Sequence, residues 1–518
     1  MLSFIFLNYM ATASALPPSS APSPRLPSVL RAAELHEDLQ VLRDVLALHP
    51  GRLRYNTAAE LDAHLAALAK DLDHDQGTGA AFLAIGRFLA TLRCGHSFLN
   101  PANQGATVRA ELLDRAPRVP FSFAWRERRM VVLAPAPGPA AALFPRGAEV
   151  LAINDRPAAT ILAGLLPLAR ADGGNDDKRL ALLGVRPGDE PDSTFDVFFP
   201  LVFPPPAGSW RFRVRPPGEP ERTVTAAPLT RAERNPAPPL APPGDLDRPS
   251  WSLTYPKGEP FALLTMPSWV TYKSKWDWRG FVHQTFVALS QRGAPALVID
   301  LRGNEGGTSV GDVILAHLLP RSAPRRTFER YTAYQHIPPA LRPVLDTWDR
   351  SFDDWGKDAT PAPERPGFFR LADDPGEHEI TPAAPRFKGR VFVLIGADNS
   401  SATFEFASQI RRHRLGLLVG QPTGGNQRGI NGGAFYFVRL PRSRIEFDLP
   451  LIAQFPPASA PLPPDGGLAP DILVPRTVAA VASGEDLELA AVRRALAGAT
   501  REARSPDHPV RSAEPTGR

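Results

Sequence analysis

One cysteine, Cys94, stands in a chain of 518 residues. With no second thiol to pair with, it cannot form an internal disulfide, and stability has to come from packing. No run of 18 apolar residues occurs, so no transmembrane helix is expected. The 40 glycines keep no three-residue period, which excludes a collagen-like fibre. No internal repeat marks the chain as a solenoid. A large excess of one charge is missing too: 59 Lys+Arg against 54 Asp+Glu leave a net +5, and the basic residues are interspersed with acidic ones. Such a surface offers no electrostatic stripe for nucleic acid. No Cys/His cluster has metal-ligand spacing, so no metal or other cofactor is expected.

Proline is what the chain has in excess: 59 residues, about 11% against a usual ~5%. The prolines are scattered or bunched in short runs such as Pro204-Pro205-Pro206, a pattern of rigid loops and linkers. Hydrophobic residues at 43% and charged residues at 22% are ordinary globular values, and the length suggests about three domains. Residues 1–28 hold a short apolar stretch, then Ala13-Ser14-Ala15, then a Pro/Ser-rich segment. They read as a signal peptide and flexible lead-in, although the usual positive start is missing and Met10 is an alternative first residue. The corresponding location is periplasmic or secreted, with the cytoplasm as the alternative.

The pattern of elements divides the rest. Leucines at helical spacing from Leu30 to Leu48, a second helix after Asn56-Thr57 and a third over 79–92 predict a helical N-terminal domain, 29–115. Strand-like runs then begin, among them 121–125 and 130–133, and the stretch 147–155 ends in an Asn-Asp hairpin turn. That stretch resembles a strand-turn of PDZ domains, with a plain β-hairpin as the alternative, so 116–235 is expected to be a PDZ-like β-rich domain, with helix over 160–190 and strands over 193–226. A Pro-rich linker, 236–249, follows. From 250 to 476 strands and helices alternate, which predicts an α/β core with parallel strands, interrupted by an insertion at 321–388. A C-terminal helix and polar tail close the chain, 477–518.

Two loops of that core could carry chemistry. Asp300-Leu301-Arg302-Gly303-Asn304-Glu305-Gly306-Gly307 lies at the carboxyl end of a strand, where α/β sheets bind ligands. Its glycines allow backbone N–H groups to face a substrate, yet the spacing is neither a Walker loop nor a dinucleotide loop. Gly396-Ala397-Asp398-Asn399-Ser400-Ser401-Ala402-Thr403 again runs from strand to sharp loop to helix. A serine at a helix N-terminus can be a nucleophile whose oxyanion meets the next N–H, or simply an N-cap. His96, in Arg93-Cys94-Gly95-His96-Ser97, has the residue type of a general base, or is one of 11 ordinary histidines. Cys94 beside it matches no cysteine-hydrolase pattern and reads as a buried, inert thiol.

In chain order these pieces resemble the tail-specific (C-terminal processing) serine peptidase family, in its tricorn-core and interphotoreceptor retinoid-binding protein-like branch. Leu92-Arg93-Cys94-Gly95-His96-Ser97 is similar to the family's L-x-D-G-H-T. Residues 297–307 resemble L-I-I-D-L-R-x-N-G-G-G, and 401–407 resemble S-A-x-E-x-F-A. Gly420-Gln421-Pro422-Thr423-Gly424-Gly425, with Pro470-Asp471-Ile472, resembles G-E-P-T-G-G and P-D-I. The resemblance implies a crotonase-like/ClpP-like core, Ser401 as nucleophile, and oxyanion donors at Ala402 and Gly306. It implies His96 as base, because the stretch 423–428 lacks the lysine of the other branch and Arg428 cannot lose its proton. Asp465 is the candidate third carboxylate. Two positions depart from the pattern: Phe404 stands where the family has Glu, and Glu305 replaces a loop glycine. The implied partner is a peptide or protein substrate, with a homo-oligomer compatible. A non-catalytic binder of peptides or apolar ligands, and an esterase, are the alternatives.

Overall fold

Thr57 and Glu60 begin the second N-terminal helix with a reciprocal pair of bonds. The Glu60 N–H donates to the Thr57 hydroxyl at 3.2 Å, and the Thr57 N–H donates to the Glu60 carboxylate at 2.8 Å. The computed structural model describes residues 29–186, 192–234, 249–272, 274–325, 328–372 and 378–502. The lead-in, nearly all of the linker at 236–249 and the tail beyond 502 lie outside the described residues.

Three helices, Ala32–Leu46, Ala58–Asp71 and Thr78–Thr91, occupy the places that leucine spacing predicts. A sheet follows in the order Phe121–Arg126, Arg129–Pro135, Glu149–Ile153, Trp210–Arg215, Arg222–Ala226, each strand antiparallel to the next. Asn154 and Asp155 make the expected turn, with φ of 47° and 62°, the left-handed pair that a tight hairpin needs. One expectation fails here. Thr194–Val202, inside the stretch read as strands, is a helix capped by Ser193, whose hydroxyl accepts from the Asp196 N–H at 3.2 Å. Its aromatic content favours a strand locally. Tertiary packing overrides this: Phe195 meets Phe123 at 4.8 Å and Phe198 meets Phe82 at 6.0 Å between ring centres.

The α/β core is a six-stranded sheet ordered Ile472–Leu473, Leu417–Gly420, Arg390–Ile395, Ala296–Asp300, Ala262–Thr265, Ser252–Thr254. All neighbours are parallel except the last pair. Helices Trp278–Gln291, Val310–Leu318 and Ser401–Arg412 connect or follow its strands. The segment 321–388 does more than interrupt this core. Its strands flank a long hairpin, Asn431–Arg439 with Glu446–Phe455, in an antiparallel sheet of their own.

Apolar packing joins what the sequence divides. Leu35 and Phe82 of the helices, Phe121 of the middle sheet, and Tyr436 and Leu449 of the hairpin belong to one buried cluster. The parallel sheet has separate clusters on its two faces. The N-terminal helices therefore pack on a hairpin that follows the core helix Ser401–Arg412, which carries the Arg93–Ser97 loop toward the core. Among the described residues, no helix is long and apolar enough to cross a membrane.

Candidate active site

Strand Arg390–Ile395 ends in a loop whose centre is Asn399. This side chain is fully buried: its Oδ1 accepts from the Gly396 N–H at 2.7 Å, and its Nδ2 donates to the carbonyls of Leu301 and Asn304 at 2.6 and 2.9 Å. The Asn399 carbonyl accepts from the N–H groups of Gly424 and Gly425 at 2.7 and 3.1 Å. One asparagine thus ties three loops at the carboxyl ends of the strands. Sequence reasoning treats it only as a capping residue, since its partners lie about a hundred positions upstream.

Ser401 follows at the first turn of helix Ser401–Arg412 with φ of 51°, in the left-handed region that side chains avoid. The capping alternative does not apply, because Ser400 is the N-cap and makes no side-chain cap bond. Among the described residues the Ser401 hydroxyl takes no hydrogen bond, and neither does the Ala402 N–H, which lies in the unpaired first turn.

The glycine loop closes directly on this turn. A Cβ built on Gly306, whose φ is +105°, would lie 2.8 Å from the Ser400 carbonyl oxygen and 3.0 Å from the Ala402 nitrogen. Only glycine permits that approach. The Gly306 N–H, expected to face an oxyanion, donates instead to the Asn304 side chain at 2.9 Å. Asn304 bends the loop into an asparagine turn that claims this donor. The next N–H, that of Gly307, has no partner among the described residues.

His96 sits beside Gly432 and Phe435 of the long hairpin, with ring centres 5.8 Å apart in the second contact. Its Nδ1 is buried and takes no hydrogen bond among the described residues. Burial, reinforced by the Arg170 and Lys178 charges, pushes the imidazole down to about 3, so the ring is unprotonated at pH 7. The stretch around it is braced: the Gly95 N–H donates to Asp172 at 2.9 Å and Arg170 donates to the Gly95 carbonyl at 2.7 Å. Arg170 also reaches Glu305 at 3.2 Å, linking the histidine stretch to the glycine loop. A cleft of about 680 Å³ is bordered by Ser97 and Phe98 from the one and by Glu305 and Gly306 from the other.

Asp465 is not placed to orient His96. It accepts from the Gly174 N–H at 3.0 Å and from Asn426 at 2.7 Å, and these bonds hold its carboxyl below the usual range against the effect of burial. Cys94 is buried, accepts from Asn431 at 3.2 Å, and has its thiol pushed up by burial, as befits an inert residue. Phe404 packs in the core on the same helix as Ser401. Among the described residues, no group of three or more His, Cys, Asp or Glu side chains could hold a metal ion.

Glu305 has partners that the sequence does not reveal. Lys178, from the helix Asp176–Leu182, donates to it at 2.9 Å. The Lys178 and Arg170 charges hold the Glu305 carboxyl well below its ordinary value, although burial acts the other way.

Residues 261–436 match the profile of peptidase family S41. The chain is 25% identical over 242 residues to the tail-specific protease of Haemophilus influenzae, an alignment covering 46% of this chain and 28% of that one. It thus spans little more than a quarter of that relative's length. The fold is similar to mature CPAF complexed with lactacystin, with a TM-score of 0.63, 14% identity, and coverage of 91% of this chain and 99% of that one. A second structure of mature CPAF gives a TM-score of 0.58, again at 14% identity, over 92% and 99% of the two chains.

Proposed function

Because residues 261–436 match the profile of peptidase family S41, we propose that the protein is a serine-type peptidase with Ser401 as nucleophile and His96 as base. The observation that carries the reading is the contact between the strained Ser401 turn and Gly306. Two loops from separate strands meet there, leaving a serine hydroxyl and the Ala402 N–H uncommitted. The Ser401 oxygen attacks a peptide carbonyl carbon while its proton passes to neutral His96. The oxyanion is met by the N–H of Ala402 and, because Gly306 is engaged by Asn304, by that of Gly307. His96 then gives its proton to the leaving amine, and water resolves the acyl-serine. Hydrogen bonds of this kind often form only when substrate is present, so the lack of a Ser401–His96 hydrogen bond among the described residues is compatible with the role.

The middle sheet is assigned to substrate capture. Its outer strand, Arg222–Ala226, pairs on one side only among the described residues, and an extended peptide can add to such an edge. A periplasmic or secreted location belongs to the same reading and is checked by fractionating expressing cells.

A non-catalytic binder on the same scaffold is the second reading, favoured by the lack of a hydrogen bond between the Ser401 hydroxyl and any described residue. An esterase would use the same residues on a different substrate. Labelling with a fluorophosphonate probe, with mass spectrometry to locate the adduct, separates enzyme from binder. An adduct on Ser401 that is lost in Ser401→Ala and suppressed in His96→Ala is the expected result. A folded protein that takes no label overturns the peptidase reading in favour of the binder.

A further inference from the structure

Lys178 is the buried ion that the mechanism above leaves unused. It belongs neither to the α/β core nor to the histidine stretch, yet its side chain is 1% exposed and ends between the two chemical loops. Its Nζ donates to Glu305 at 2.9 Å and to the Asp398 carbonyl at 3.0 Å, and lies 3.5 Å from the Ser400 hydroxyl. Ser400 in turn donates to the Glu305 carbonyl at 3.2 Å. The stem fits because residue 424 is glycine: a Cβ there would fall 2.8 Å from the Lys178 Cδ. The N-cap of the same helix, Asn175, donates to the carbonyls of Thr423 and Gly425, both at 2.9 Å. A seven-residue helix is therefore fastened to three loops of the core, and its one buried charge is aimed at the junction of the two that form the site.

A stability role alone does not account for this placement. Burying an ammonium costs more than its ion pair returns in many proteins, and such pairs are weak stabilisers. What a buried, charge-assisted pair does supply is fixed geometry. Glu305 is the substitution that sets this loop apart from the family pattern, and Lys178 neutralises it. The two are halves of one device. The Glu305 carboxylate is also shared with Arg170, which holds the Gly95 carbonyl next to His96.

We propose that Lys178 is a positioning residue for the reaction: its ammonium clasps the glycine loop, through Glu305, to the nucleophile turn, through the Asp398 carbonyl, and so sets the gap in which the oxyanion is held. This rests on the hydrolase reading above. Lys178 acts through the loops, having no bond to the Ser401 hydroxyl among the described residues.

The test measures the maximal rate and half-saturation of fluorophosphonate labelling at Ser401 in full-length protein. Wild type is compared with Lys178→Met, Lys178→Arg, Glu305→Gln and the neutral pair Lys178→Met/Glu305→Gln. Circular dichroism and melting temperature are recorded for each. Lys178→Met is expected to lower the maximal rate by about 100-fold, as for loss of one oxyanion donor, with half-saturation within about threefold. Lys178→Arg should restore part of the rate. The neutral pair should label faster than Lys178→Met, since it no longer leaves a buried carboxylate unpaired, and it carries the same comparison should the single variant fail to fold. A folded Lys178→Met or neutral pair that labels at the wild-type rate overturns the proposal, as does a loss confined to half-saturation. Wild-type protein that takes no label overturns the hydrolase reading first, and this one with it.

Discussion

Gly306 and Ser401 touch across two loops that are 95 residues apart in the chain: a Cβ built on the glycine would lie 3.0 Å from the serine Cβ. Both residues have positive φ, +105° and +51°. Gly306→Ala should therefore push the loops apart at their junction. The expected outcome is a folded protein whose Ser401 labels at least ~100-fold more slowly, comparable to loss of an oxyanion donor. Labelling kinetics beside a melting curve check this.

Acid should destabilise the protein through two histidines. Burial pushes both His49 and His96 down to about 3 from an ordinary 6.5. Between those values the unfolded chain binds two protons that the folded chain refuses, so stability rises with pH across this window and is lost as pH falls from about 6.5 toward 3. Two protons set an upper slope of about 2.7 kcal/mol per pH unit. Urea titrations at pH 7, 6 and 5 measure it. His49→Gln should remove about half the slope, because that ring, bonded to Ser97 at 2.8 Å and to the Gly51 N–H at 2.9 Å, lies in the same buried region without serving as base.

The same neutral His96 predicts the activity profile. With the base already deprotonated, the rate of Ser401 labelling should stay flat from pH 8 down to pH 6, where an ordinary histidine would have begun to lose it. A midpoint near 6.5 in the labelling rate would contradict the unprotonated ring.

Asp465→Asn distinguishes an anchor from a catalytic carboxylate. Its oxygen bridges Gly174 and Asn426, so the substitution should cost about 1–2 kcal/mol in urea denaturation. The pH profile of Ser401 labelling should be unchanged and its rate should remain within about tenfold. Loss of labelling in a folded variant would return Asp465 to the catalytic set.

Arg302 is expected to matter for stability alone. It binds Asp300 at 2.6 Å and Asp486 at 2.9 Å, fastening the end of a core strand to the segment ahead of the C-terminal helix. Arg302→Ala takes the shared cation from partly buried carboxylates and should cost about 3 kcal/mol. Arg302→Lys should recover little, since one ammonium cannot reproduce a fork shared by three carboxylates, Glu488 at 3.4 Å being the third. Denaturant midpoints decide both.

What the sequence determined by itself is local. The Thr57 and Glu60 cap, the leucine spacing of the first helices, the Asn154-Asp155 turn and the apolar strands 296–300 and 391–395 each depend on neighbours within a few residues. Periodicity and turn chemistry report such neighbours directly. The serine at a strand-to-helix junction and the glycines of the other loop are legible for the same reason. Helix Thr194–Val202 escaped because its aromatic side chains answer to Phe82 and Phe123, about 70 to 115 positions upstream. Only the tertiary structure decided that Asn304 claims the Gly306 N–H, that Asp465 anchors Gly174, and that Lys178 reaches the Asp398 carbonyl across 220 positions. A lysine in a short helix carries no local mark of its destination. The long-range packing of that helix against the three loops puts its charge beside Glu305, and no spacing along the chain encodes that distance.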